Sequence, residues 1–298
     1  MAKHQIPTYT ICRLAADEAV QKELIAERFP HYLDTHQHLH FPHRHSFYHL
    51  VFFTKGAGKQ SIDFVSFPVQ PGQIYFMVPG QVHGWDFDGE MDGYIINFSD
   101  TFFHTLLQNT QYIDQFYFFN GQAAESVLQL PVNIQTEITA LFEKILAEVQ
   151  QNNDHMMDMI RTLLLQIFIL VNRVQVTTIR QKQVPQHNYL LLRNFQQLIE
   201  KNYTQLKLPK EYAALLYITP NHLNALCKDV LDKSAGEIIR DRILLEAKRL
   251  LTNADMSIMD IAYQLNFADN SYFSKFFKKY AGATPEDFRK QFDHTYNK

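Results

Sequence analysis

The chain has 298 residues, 46% of them hydrophobic and 20% charged, so it is long enough for about two domains with apolar cores. It contains no run of eighteen apolar residues and no basic-then-apolar leader, and we therefore expect an unsecreted, cytoplasmic protein without a membrane span. The two cysteines, Cys12 and Cys227, are far apart and unpatterned, which favours reduced thiols over a disulfide framework.

The net charge of −3 hides an asymmetry along the chain. Residues 1–179 carry 10 Lys and Arg against 18 Asp and Glu, whereas residues 180–298 carry 18 against 13. A basic half joined to an acidic half is typical of a nucleic-acid-binding module attached to a domain with another role.

Residues 1–130 predict a small antiparallel barrel or sandwich. The first 35 residues have little pattern and indicate an arm or a first strand. Beyond Phe41, strands are predicted at 47–54, 60–64, 73–77 and 92–98, with turns at 55–58, 70–72 and 79–80. Short strands separated by glycine and proline are characteristic of such folds.

Helices are predicted in the rest of the chain. Residues 131–150 carry an amphipathic stripe and residues 154–176 are more apolar, so 131–176 either covers the strands or forms a dimer contact. The polar stretch 177–188 predicts a linker between domains. A helix over 189–203 then opens a C-terminal domain, 189–298, in which 235–251 forms a long helix.

The region from Ser257 to residue 289 has the pattern of a helix-turn-helix. Ser257 and Asp260 form a capping box for a first helix, and Asp269 is a suitable N-cap for a second. The second helix has one apolar stripe, made of Phe273, Phe276, Phe277 and Tyr280. Gly282 follows it in a position suited to a left-handed C-cap, and Pro285 starts another helix.

The same pattern occurs about fifty residues earlier. An offset of fifty pairs Thr219 with Asp269 and Leu223 with Phe273. Upstream of the turn the offset is forty-nine, so the second copy has one extra residue in its turn. Repetition at a fixed offset predicts two helix-turn-helix units joined by the helix over 235–251.

The doubled motif, with its core Phe-x-Asp-x-Ser-Tyr-Phe-Ser-Lys-x-Phe-Lys, resembles the DNA-binding domain of AraC/XylS-type bacterial transcription regulators over about 185–298. Asn266 stands where that family usually has glycine, and Asp232 and Ala235 replace a usual glycine and proline. The resemblance implies an α+β protein of two domains, an N-terminal cupin-like β-barrel with flanking helices and a C-terminal all-α double helix-turn-helix domain. It also implies double-stranded promoter DNA, a small-molecule effector, RNA polymerase and a second copy of the chain as partners.

The resemblance places DNA contacts on the polar face of the second helix in each helix-turn-helix unit. The alternative is that these faces are ordinary solvated surfaces. In the first helix the matching residues are Asn221, His222, Asn224 and Ala225, with Lys228 on a phosphate. In the second they are Asn270, Ser271, Tyr272 and Lys275, with Lys278 on a phosphate. Asparagine suits adenine and lysine suits guanine in the major groove.

A group of histidines marks the N-terminal domain. His43-x-His45, then His49, and Pro79-Gly80-x-x-His83 resemble the two cupin signatures, with His49 in place of the usual glutamate. Imidazoles suit Zn, Fe and other divalent ions. The carboxylate is missing, and sensors of the resembling family usually lack metal. We therefore expect a metal-free pocket without a cofactor. The alternatives are a metal site and a surface strand.

Lys55 and Trp85 match positions that contact sugar in arabinose-responsive members of the family. Trp85 would stack on a ring face and Lys55 would anchor a hydroxyl or carboxylate. The alternative is a turn lysine and a core tryptophan.

The sequence therefore favours a non-enzymatic transcription regulator, an activator, controlled by a sugar or small carboxylate in the barrel. One alternative is a metal-dependent cupin enzyme fused to DNA-binding helices. Another is a DNA-repair alkyltransferase, which needs an activated cysteine in a signature context that neither Cys12 nor Cys227 has.

Overall fold

The computed structural model describes residues 6–14, 23–36, 39, 41–109, 112–181, 185–253 and 255–294. Two compact units divide between residues 182 and 183. The predicted linker 177–188 is longer than the structure allows, because one helix extends to Gln181 and the next begins at Gln186. Residues 182–184 of that linker, and residues 1–5 and 15–22 of the predicted arm, lie outside the described residues.

The N-terminal unit combines strands and helices. Its elements are β1 (Thr8–Tyr9), α1 (Ile11–Leu14), β2 (Leu24–Arg28), α2 (Phe29–Thr35), β3 (His43–His45), β4 (Tyr48–Ile62), β5 (Val65–Pro68), β6 (Gln73–Met77), β7 (Val82–Phe98), α3 (Ala123–Ser126), β8 (Val127–Gln129), α4 (Val132–Gln151) and α5 (Met156–Gln181). The described strands form one sheet in the order β1-β3-β7-β4-β6-β8, with β2 also on β7 and β5 also on β4.

The long antiparallel pair β4 and β7 forms the centre of this sheet and corrects the sequence prediction. Residues 55–58 belong to β4 instead of a turn, and β7 begins ten residues before the predicted strand at 92. The pairing register shifts between Phe53 and Ala57, where Gly56 has a φ of 132°. Glycine permits such a bulge, so the chain bends within the sheet instead of leaving it.

Close backbone approach along the same pair requires glycine at position 93. Gly93 has a φ of 154°, and a Cβ atom there would lie 2.1 Å from the carbonyl oxygen of Phe52. Any other residue would have to displace the neighbouring strand.

Alternate residues of β4 point to opposite faces of the sheet. Leu50 and Phe52 pack in one cluster with side chains of α4 and α5, whereas Val51 and Phe53 pack in a second cluster. His49 lies on the same face of β4 as Val51 and Phe53 and is fully buried. This alternation therefore places the histidines on the face opposite to α4 and α5.

Helices α4 and α5 bury their apolar stripes in the first cluster. Ile138 and Phe142 of α4 and Ile160 and Phe168 of α5 are completely buried. Covering the sheet therefore accounts for these stripes, which is the alternative that the sequence left open beside a dimer contact.

The described residues of the C-terminal unit form helices joined by short turns, without a strand. Its elements are α6 (Gln186–Asn202), α7 (Pro209–Leu215), α8 (Pro220–Leu231), α9 (Ala235–Leu251), α10 (Ile258–Gln264), α11 (Asn270–Ala281) and α12 (Pro285–His294). Helix α9 has the predicted bounds. Arg242 of α9 joins it to α6 by a 2.7 Å ion pair from Nε to Glu200.

The repeat is visible in the backbone as well as in the sequence. Tyr217 and Asn266 occupy equivalent turns with φ values of 55° and 53°, and Asp232 and Gly282 end α8 and α11 with 56° and 81°. Four residues separate α7 from α8 and five separate α10 from α11, as the change of offset predicts. Among the described helices, none has the length and hydropathy to cross a membrane.

Candidate functional site

Helix α11 exposes the polar side chains that the sequence assigns to DNA. The Asp269 carboxylate accepts a 2.7 Å hydrogen bond from the amide of Tyr272 and so caps the helix. Phe273 and Phe277 are fully buried and fix the rotation of the helix about its axis. As a result the opposite side is exposed, and it carries Asn270, Ser271, Tyr272, Lys275 and Lys278.

Helix α8 is arranged in the same way. Thr219 Oγ1 accepts from the amide of His222 at 3.2 Å, and Leu223 and Cys227 are fully buried. The exposed predicted residues are Asn221, His222, Ala225 and Lys228. Both second helices therefore present a capped N-terminus and a polar face, which is what major-groove entry requires.

Asn224 differs from its predicted neighbours because it is half-buried and takes part in the fold. Its Oδ1 accepts a 3.0 Å hydrogen bond from the amide of Ala235, the first residue of α9. A bidentate contact with adenine needs both the amide oxygen and the amide nitrogen. Asn221 is thus better placed than Asn224 for that contact.

A cationic cleft beside α11 contains residues that the sequence argument missed. The cleft has a volume of about 400 Å³ and is lined by Lys207, Arg240, Lys275 and Lys279 with aromatic side chains between them. Lys207 Nζ lies 3.9 Å from the ring centroid of Phe267 and donates to the carbonyl of Asn266. Burial lowers the pKa of Lys207. Lys207 precedes α7 and belongs to no apolar stripe, so helical periodicity gave no signal for it.

Cys227 lacks the features of a nucleophilic cysteine. Cys227 is buried in α8, and burial raises the pKa of its thiol to about 12, which keeps it protonated at neutral pH. A thiolate is the reactive form of cysteine. Cys227 therefore behaves as a core residue, as its position in the helix predicts.

The N-terminal unit has a cavity of about 740 Å³ between α2 and residues 85–92 of β7. Lys55 and Trp85 both line it, so the structure brings this predicted pair together. Lys55 Nζ makes a 2.6 Å ion pair with Glu90, and this hydrogen bond raises the pKa of Lys55 and lowers that of Glu90. Both groups consequently stay charged and neutralise each other.

The remaining charges of the cavity wall are acidic. Asp34, Asp86 and Asp92 line it, and Asp92 pairs with Arg28 at 2.6 Å. Trp85 is 7% exposed and one face of its indole stacks on Phe87, at 5.8 Å between centroids. The tryptophan is thus largely enclosed and offers little of its surface to the cavity.

The four predicted histidines lie beside this cavity and not on its wall. His43, His45, His49 and His83 are each at most 1% exposed. Trp85 separates them from the cavity, with 5.1 Å between the centroids of its ring and that of His83.

His49 belongs to a hydrogen-bonded chain across the interior. Its Nδ1 lies 2.7 Å from Asn97 Oδ1, which can only accept, so Nδ1 carries the proton. Nε2 then accepts from Tyr75, whose hydroxyl lies 3.1 Å away and itself accepts from Trp85 Nε1 at 3.0 Å. Burial lowers the pKa of His49 to about 3 and holds it neutral.

Comparisons with known proteins match a family model in each of the two units. Residues 26–168 match the family described as AraC-like ligand binding domain, and residues 212–291 match a helix-turn-helix domain. The probable transcription factor PqrA of Proteus vulgaris is 43% identical over 68 residues, which are 23% of this chain and 56% of that protein. The chain thus spans about half the length of that relative.

Two further matches extend over most of the chain. The Msm operon regulatory protein of Streptococcus mutans is 22% identical over 249 residues, 82% of this chain and 84% of that protein. The crystal structure of ToxT from Vibrio cholerae O395 is 14% identical, covers 83% of this chain and 90% of its own, and gives a TM-score of 0.37.

Proposed function

Because the chain belongs to the AraC type of DNA-binding transcription regulators, we propose that it binds a specific promoter sequence through α8 and α11 and that an effector in the N-terminal cavity controls this binding. The observation that carries the proposal is the repeated unit: two helices of the same unit have capped N-termini and exposed polar faces. Asn221 and Lys275 are the side chains best placed to contact bases, and Lys228 and Lys278 to contact phosphates.

The test is footprinting of the full chain on a sequence selected from random DNA. Two helices that enter successive major-groove segments should protect two patches about one helical turn, ~34 Å, apart for each protomer. A single short protected patch, or none, would contradict the proposal.

The cavity favours a neutral, hydroxylated effector such as a sugar over a small carboxylate. Its lysine is already paired with Glu90, and Asp34 and Asp86 add negative charge to the wall. An anion would be repelled there, whereas carboxylates accept hydrogen bonds from sugar hydroxyls.

Thermal unfolding of the full chain with panels of sugars and small carboxylates tests this choice. A ligand at a hundred times its Kd should stabilise the folded state by about 2.7 kcal/mol. A Trp85→Ala variant should lose the response, and His31→Ala, on the exposed side of α2, should keep it. Stabilisation by carboxylates alone would refute the proposed effector class.

We further propose that the effector changes the relative stability of two arrangements of a homodimer, and that the protein activates transcription with RNA polymerase in the cytoplasm, where bacterial DNA lies. Met159 of α5 is 48% exposed and lies on a face that the sheet does not cover, which supports a contact between copies through α5. Sedimentation of the parent and of Met159→Lys tests the dimer, since a buried lysine would shift the mass toward the monomer. An enzyme is not part of the proposal, because the family consists of transcription regulators.

A further inference from the structure

Three imidazole nitrogens meet in the interior of the N-terminal unit. His45 Nε2 lies 3.2 Å from His43 Nε2 and 2.8 Å from His83 Nε2. One ligand atom from each of the three residues lies within 4.8 Å of the others, and all three side chains are buried. They come from neighbouring strands, since His43 of β3 pairs directly with His83 of β7.

The hydrogen bond of His43 assigns its tautomer and directs a lone pair at the other two rings. His43 Nδ1 lies 2.7 Å from the carbonyl oxygen of Phe41, which can only accept, so Nδ1 carries the proton and Nε2 of the neutral ring presents a lone pair. If His83 Nε2 donates to His45 Nε2, the lone pairs of His43 and His45 face each other. If His45 Nε2 donates instead, one proton must serve two acceptors.

The geometry offers one position for a cation. A single ion at the point where the three Nε2 atoms converge would accept all three lone pairs at once.

We propose that His43, His45 and His83 bind one divalent transition-metal ion through their Nε2 atoms. Neutral imidazoles suit Zn²⁺, Fe²⁺, Ni²⁺ and Cu²⁺ better than Mg²⁺ or Ca²⁺. Three protein ligands are enough for a metal site and leave a coordination position for water or an exogenous oxygen ligand. A metal site therefore does not require the glutamate that His49 replaces, although its absence favours a metal-free pocket at the level of sequence.

The surroundings of the three ligands fit such a site in part. The bond from His43 Nδ1 to Phe41 is the outer hydrogen bond that orients a metal-binding imidazole. Nδ1 of His45 and of His83 has no hydrogen-bond partner among the described residues. Because outer partners typically contribute 10–100-fold to affinity, we expect weaker binding than in a site where every imidazole is anchored.

His49 is not one of the proposed ligands. Both of its ring nitrogens are hydrogen-bonded, to Asn97 and to Tyr75. It should therefore support the surrounding side chains, including the stacked ring of His45, without binding the ion.

Trp85, the single tryptophan of the chain, is a built-in reporter because its ring lies 5.1 Å from that of His83. The untagged full chain is stripped with a chelator, dialysed and titrated with Co²⁺ or Cu²⁺, whose unpaired electrons quench a nearby indole. We expect quenching that saturates at one equivalent, reversal by excess Zn²⁺, and one bound metal per chain by elemental analysis. Absence of stoichiometric binding, or binding of one equivalent without quenching, would overturn the proposal.

Variants identify the ligands. His45→Gln and His83→Gln should each weaken binding by about 100-fold or more, and His49→Gln should weaken it less. The exposed His31→Ala is the control and should bind like the parent. Circular dichroism checks that each variant folds, and the parent titration decides the question should a variant not fold. Parent-like binding in a folded His45→Gln variant would show a surface site, and loss of binding in His49→Gln alone would refute the three-ligand assignment.

Discussion

Removing the cap of the second DNA-facing helix should loosen that helix by a measurable amount. The Asp269 carboxylate accepts from the Tyr272 amide at 2.7 Å, whereas Thr219 Oγ1 makes the equivalent bond in the first copy at 3.2 Å. Replacing an N-cap by alanine typically costs about 0.5–2 kcal/mol. Because the Asp269 bond is short and charge-assisted, we expect Asp269→Ala to cost about 1–2 kcal/mol and Thr219→Ala about 0.5–1 kcal/mol.

Hydrogen exchange of the full chain, followed by mass spectrometry, measures this loss locally. A cost of 1–2 kcal/mol should accelerate exchange of α11 amides roughly 5–30-fold. The N-terminal unit serves as an internal standard. Asp269→Asn keeps an acceptor and should change exchange little, since asparagine caps about as well as aspartate. Equal acceleration in Asp269→Asn, or none in Asp269→Ala, would show that the cap does not hold the helix.

Three further predictions follow from the exposed and buried features of the fold. Lys278→Ala should weaken binding to all DNA sequences alike and reduce the slope of log affinity against log salt by about 0.9, measured by anisotropy; an unchanged slope would remove it from the phosphate contacts. Gly93→Ala should destabilise the protein more than Gly89→Ala in urea unfolding, because a Cβ at 93 meets a backbone oxygen at 2.1 Å whereas at 89 nothing lies within 4 Å. A positive φ costs on the order of 1–3 kcal/mol at each position, and equal losses would refute the steric argument. Hydrogen bonds from Ser257 lower the pKa of Asp260 in the folded protein. Their contribution to stability is therefore complete above the unfolded carboxyl pKa of about 4 and is lost as the pH falls through the lowered folded value. In Ser257→Ala the free energy of unfolding should fall less steeply on acidification, and a profile identical to that of the parent would contradict the prediction.

Signals that act within one helical turn were predictable from the sequence. The caps at Ser257 and Asp269, the left-handed residues Asn266 and Gly282, and the longer second turn all appear as predicted. The caps and the left-handed residues depend on residues a few positions apart, so a short segment contains the whole interaction. The longer turn follows from the change of offset between the two repeats.

Interactions between distant positions were not predictable in the same way. Asn224 looked like its exposed neighbours, but its partner Ala235 lies eleven residues away. The convergence of His45 with His83 depends on strand register across 38 residues. The extent of β4 was underestimated because glycine in a bulge and glycine in a turn leave the same pattern.

Helix α2 contacts both the cavity and the buried interior of the N-terminal unit. A ligand in the cavity can therefore affect the interior through this helix. Its Leu33 lines the cavity, whereas its Tyr32 is fully buried and accepts at 3.3 Å from Asn97, the residue that holds His49. Leaving one buried polar group of such a chain unpaired costs about 1–3 kcal/mol. A ligand that displaced α2 would therefore break or keep this hydrogen bond, with no stable position between. We expect the domain to switch between two conformations when the ligand binds.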